Sequence, residues 1–113
     1  MSDIQPVIAC NLGALSEEEK TRRSAMAARV SARFQEIRET PDGYAARLDA
    51  EAQLVQDALD WILLERRCCP FLRLELSFEP SPGPVWLRLG GGAGVKEFLA
   101  AAGLKAFSSR EPA

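Results

Sequence analysis

At Pro70 the spacing of apolar residues changes from a helical to a strand period, so a long helix must run almost directly into a sheet. Upstream, Leu54, Val55, Ala58, Leu59, Ile62 and Leu63 recur at three and four residues, while Glu51, Gln53, Gln56, Asp57 and Asp60 fall largely elsewhere. This spacing predicts an amphipathic helix over residues 51–67. Proline pushes the residue before it out of the α region, so the helix ends ahead of Pro70. Downstream, Leu72, Leu74, Leu76 and Phe78 alternate with Arg73, Glu75, Ser77 and Glu79. That is the pattern of a half-buried strand over residues 71–79.

The flanking segments extend the same plan. Ile4 to Cys10 is short and apolar and reads as an edge strand or an extended lead-in. Ser16-Glu17-Glu18-Glu19 predicts a capping box, in which the Ser16 hydroxyl accepts from the third helical amide and Glu19 reaches back. The helix it opens runs to about Val30 or Ser31, with a weak apolar face. Phe34–Glu39 and Tyr44–Leu48 are strands joined through Pro41-Asp42-Gly43. In that turn proline presets the first corner and glycine is expected to supply positive φ. Val85–Leu89 alternates again, after the turn Pro80-Ser81-Pro82-Gly83-Pro84, as the partner of strand 71–79. Residues 90–94 form a glycine-rich joint, 95–102 a short helix with Val95, Phe98 and Leu99 inward, and Gly103 stops it. The order α-ββ-α-ββ-α implies an α+β two-layer sandwich, an antiparallel sheet of two hairpins with helices on one face. Residues 1–104 make one domain and 105–113 a frayed tail, as expected for a chain of 113 residues.

Charge and composition remove several classes of function. With 14 basic and 16 acidic side chains, a net charge of −2 and interspersed signs, a nucleic-acid partner is not expected. No apolar run approaches the roughly 20 residues of a membrane span. The start, Met1-Ser2-Asp3-Ile4-Gln5-Pro6, has neither the cationic region nor the apolar core of a signal peptide, so a cytoplasmic protein with reduced thiols is the expectation. There is no histidine, which excludes Ser–His and Cys–His nucleophile pairs and histidine-ligated metals. Three cysteines is an odd count and speaks against a closed disulfide framework.

Chemistry therefore concentrates at Glu65-Arg66-Arg67-Cys68-Cys69-Pro70-Phe71. Adjacent thiols do not readily bridge each other, because the eight-membered ring strains the peptide between them. They can share a soft ion, since thiolates favour mercury, cuprous copper, zinc or arsenic(III)-like centres. Glu65 lies three and four residues before Cys68 and Cys69, within reach of either thiol. Arg66 and Arg67 favour the thiolate, whereas Glu65 and the helix C-terminus disfavour it. Cys10 supplies a third sulfur if the N-terminal segment returns to this helix end.

Blander accounts stand beside this one. Buried cysteines often serve as small core hydrophobes. Glu65-Arg66 can be an ion pair tying the helix to the sheet. The glycines before the last helix can cradle an anion, but they lack the P-loop lysine and hydroxyl and read better as a joint. Glu75 and Glu79 are solvated or cross-paired on a strand face. Trp86 covers a helix or contributes to a homodimer surface.

The strings Glu65-Arg66-Arg67-Cys68-Cys69-Pro70-Phe71-Leu72, Gly83-Pro84-Val85-Trp86-Leu87-Arg88-Leu89 and Gly94-Val95-Lys96-Glu97-Phe98-Leu99 resemble those of a family of small uncharacterised bacterial proteins. Ala9-Cys10-Asn11-Leu12 and Asp42-Gly43-Tyr44 fit the same pattern. The resemblance covers most of the chain and brings no established activity. It implies that Cys10, Cys68 and Cys69 belong together. The leading expectation is a soft-metal or metalloid site on Cys68 and Cys69, with Cys10, oriented and tuned by Glu65, Arg66 and Arg67. The alternatives are a thiol enzyme with Cys68 or Cys69 as nucleophile, and a dimerising or partner-binding module whose cysteines only pack.

Overall fold

The structure, a computed structural model, describes residues 9–103. The lead-in from Ile4 and the tail at 105–113 therefore lie outside the described residues, save for Ala9 and Cys10. A short 3₁₀ turn at Leu12–Ala14 precedes α1 (Glu17–Ser31), the hairpin β1 (Phe34–Thr40) and β2 (Gly43–Leu48), and α2 (Ala52–Cys68). The hairpin β3 (Arg73–Phe78) and β4 (Val85–Gly90) and the helix α3 (Val95–Ala101) complete the fold. It is the α+β sandwich that the periodicity predicts.

The strand order is β1-β2-β4-β3, with every neighbour antiparallel. Each hairpin thus contributes one central and one edge strand. Register places whole rows of residues on one face, because directly paired residues point the same way. One row runs Ile37–Ala46–Leu87–Leu76 and another Phe34–Leu48–Val85–Phe78. Apart from Phe78, these rows meet Val30, Leu54, Ala58, Val95 and Leu99 from the helices in one core. The opposite face carries the row Arg38–Ala45–Arg88–Glu75, and there the Arg38 guanidinium lies 5.0 Å from the centroid of a Trp86 ring. Trp86 therefore packs under an arginine on the face away from the helices, and does not cover a helix. Phe78, expected to be half-buried, is 63% exposed at the end of the edge strand.

The capping box at Ser16 forms in both directions: Glu19 N donates to Ser16 Oγ at 3.1 Å, and Ser16 N donates to Glu19 Oε1 at 2.9 Å. The turn at Gly43 differs from expectation in its cause. The described glycines with positive φ are Gly94 and Gly103, so the hairpin does not use Gly43 for that purpose. A Cβ at Gly43 would lie 1.9 Å from the Leu89 carbonyl oxygen, and glycine is needed because β4 passes so close.

The buried stripe of α2 keeps Leu54 and Ala58, with Val55 and Ile62 packed against the core, but it is shifted to one side of the stripe that apolar spacing indicates. Leu59 and Leu63 are 41% and 50% exposed, whereas Asp57 and Glu65 are buried beside Leu54, Ala58, Leu64 and Cys68. The reason lies in α1, which has only Met26 and Val30 as buried residues and offers arginines instead. Arg29 Nε meets Asp57 Oδ2 at 3.2 Å, and Arg23 Nε meets Glu65 Oε1 at 2.7 Å. Two ion pairs along antiparallel helices draw the acids inward, since a buried charge is tolerated when paired.

Candidate functional site

The last turn of α2 closes with Cys68, and Cys69 caps it in a non-helical conformation, its N–H donating to the Glu65 carbonyl at 2.7 Å. Pro70 prevents another turn. The free Cys68 carbonyl at this end accepts from Asn11 N at 2.6 Å, satisfying one of the orphan carbonyls of the helix terminus. The same contact returns the N-terminal segment to α2. Cys10 reaches Cys69 as a result, and their sulfurs form a disulfide of 2.16 Å.

This overturns the expectation that no disulfide closes. Three cysteines divide into one bridge and one free thiol, Cys68. The bridge skips the adjacent residue and joins positions 59 apart, avoiding the strained ring of a vicinal disulfide. Cys68 Sγ lies 3.7 Å from Cys69 Sγ and 3.6 Å from the Glu65 carbonyl oxygen. All three sulfurs therefore meet at the helix end. Cys68 and Cys69 are fully buried among Leu15, Met26 and Leu64, while Cys10 is partly exposed.

Glu65 joins the cluster through its carboxylate. One ligand atom from each of Cys10, Glu65 and Cys69 falls within 4.8 Å of the others, whereas Cys68 borders that group through Cys69. The charges around the sulfurs differ from those the sequence suggests. Arg67 turns toward α1, donating to Glu19 Oε2 at 2.7 Å and to the Ala14 carbonyl at 3.0 Å. Arg66 is exposed. Glu65 pairs with Arg23, not with Arg66.

Arg23 is the cation at the thiols that sequence reasoning missed. A signal was available: Arg23, Met26, Ala27 and Val30 share one helical face by their spacing, so an inward Met26 and Val30 carry Arg23 inward as well.

Burial pushes the Cys68 thiol above its ordinary value of 9.0, the nearby Glu65 charge adds to the rise, and Arg23 opposes both. A neutral, enclosed thiol is a poor nucleophile, which works against Cys68 as a catalytic residue in this state. After reduction, however, Cys10 and Cys69 would offer two sulfurs and Glu65 an oxygen to one centre, with a third sulfur adjacent. No family model, curated protein or solved structure matches this chain.

Proposed function

We propose that the reduced chain captures a soft metal or metalloid ion on Cys10 and Cys69, with Cys68 alongside and Glu65 as an oxygen ligand. The observation that carries this reading is the gathering of sulfur and carboxylate ligand atoms from positions 10, 65 and 69 within 4.8 Å. Thiolates select soft ions, and a neighbouring carboxylate offsets the positive charge that a thiolate pair leaves on a trivalent centre. Two equivalents of a small thiol reduce the bridge, giving two cysteine thiols and one small-molecule disulfide. A divalent ion then displaces two protons from those thiols as its two metal–sulfur bonds form. Arg23, held on Glu65, keeps the carboxylate oriented toward the sulfurs.

Titrating the phosphine-reduced protein with mercuric or arsenite ions, followed by ultraviolet charge-transfer absorption, tests the reading. One ion per chain is expected, with weaker binding in Cys10→Ser and in Cys68→Ser/Cys69→Ser. Unchanged affinity and stoichiometry in the double variant would sink it.

A second reading has an observation of its own: Cys68 and Cys69 lie in an apolar cluster with Leu15, Met26 and Leu64. On that reading the bridge is only a staple for the N-terminal segment. It requires that substitutions at 10 and 69 lower stability and leave ion affinity no better than that of a free thiol.

A further inference from the structure

Beside the sulfur cluster, α1, α2 and α3 leave a cavity of about 360 Å³ over β4. The pocket is half-open to the surface, and small-molecule sites are clefts or cavities of roughly 300 Å³ upward. Its walls are Phe34, Leu72, Leu87, Leu89, Phe98 and Leu99, and its polar groups include Cys10, Glu65 and Arg23. Trp61 also lines it. Its Nε1 is shielded from solvent without a hydrogen-bond partner among the described residues. A finished core normally satisfies such a donor.

Cys68 and Cys69 do not line the cavity, so Cys10 is the cysteine of the cluster that stands at its wall, its sulfur available once the bridge is reduced. Once the Cys10–Cys69 bridge is reduced, this apolar pocket has a thiol and a carboxylate in its wall, which suits a ligand that is hydrocarbon on one side and a soft electrophile on the other. A bare ion would use the sulfurs and leave the chamber unfilled.

We propose that the species taken up is a monoorgano cation of a soft metal or metalloid, with its hydrocarbon group in this cavity and its metal on Cys10. This rests on the sulfur-site reading above and names its substrate class. The exchange is balanced: the Cys10 thiol gives up its proton and forms the sulfur–metal bond. The metal loses its halide or hydroxide, which departs with that proton, and the carbon–metal bond stays intact.

Phenylmercury and methylmercury are the probes. Each is titrated into the full-length, phosphine-reduced protein in competition with a free dithiol, so that intrinsic thiol affinity cancels. Burying the ring should favour phenylmercury by roughly tenfold or more beyond its preference on the free dithiol. Ala27→Phe fills the cavity from α1 and Ala102→Leu from the end of α3. Whichever of these retains the native circular dichroism should lose the phenyl preference and keep methylmercury binding. Equal relative affinities in the wild-type chain, or a preference that survives a folded cavity-filling variant, would overturn the inference. The inorganic titration separates this failure from failure of the underlying site. If mercuric ion still binds in a Cys10-dependent way, only the organic substrate class falls; if it does not, the sulfur site falls too.

Discussion

Reducing the Cys10–Cys69 bridge should lower stability by an amount that its connectivity sets. The bridge closes a loop over a sequence separation of 59. Loop-closure entropy gives about 3 kcal/mol for a 15-residue loop and about 4.7 kcal/mol for a 100-residue loop, so about 4 kcal/mol is expected here. For a domain of this size that corresponds to roughly 15 °C in melting temperature. Thermal unfolding followed by far-ultraviolet circular dichroism, with and without a phosphine reductant, measures the difference. Cys68→Ser should show the same drop on reduction, because Cys68 is outside the bridge. Cys10→Ser should be insensitive to reductant and melt near the reduced wild type. An unchanged melting temperature on reduction, or reductant sensitivity that disappears in Cys68→Ser, would refute the assignment of the bridge to positions 10 and 69.

Three further outcomes follow from the geometry. Glu65→Ala leaves the Arg23 guanidinium beside buried apolar surface without its partner; with Arg23 still 23% exposed, urea denaturation should show a loss of about 2–3 kcal/mol. Replacing both members with Leu and Met should recover much of it, and no recovery would show that the pair is worth more than its packing volume. Gly43→Ala forces a Cβ against the Leu89 carbonyl, so the central β2–β4 pairing must shift at a cost of more than about 2 kcal/mol; a wild-type melting curve would contradict the close approach. For Cys68 the folded state raises the pKa above 9.0, so its contribution to stability is complete below pH 9 and fades as pH rises through the folded value. Alkylation of Cys68 in Cys10→Ser/Cys69→Ser should therefore be slower at pH 8 in the native protein than in urea, and equal rates would show the thiol to be open and unperturbed.

The fold was legible because its signals are local. The capping box at Ser16, the helical period before Pro70 and the strand alternation after it depend on neighbours in sequence, and each appears in the structure at nearly the expected bounds. Where expectation failed, the cause was a partner far along the chain. Apolar spacing put Leu59 and Leu63 on the inner face of α2, yet Arg23 and Arg29 of α1 draw Glu65 and Asp57 inward and shift the stripe to one side. Gly43 reads as a turn glycine until β4 is laid against it. Trp86, set among charges in sequence, is covered by Arg38 from a strand two places away in the sheet.

The same division runs through the site. The sequence by itself determined that two thiols and a carboxylate share the end of one helix, because three- and four-residue spacing on a helix fixes which side chains are neighbours. It also excluded histidine chemistry outright. Only the tertiary structure decided that Asn11 docks on the Cys68 carbonyl, bringing Cys10 to Cys69, and that Arg23, not Arg66 or Arg67, faces Glu65. Those choices depend on how the N-terminal segment and α1 pack against α2. Contacts across 42 and 59 residues of chain leave no periodic trace in the sequence between them.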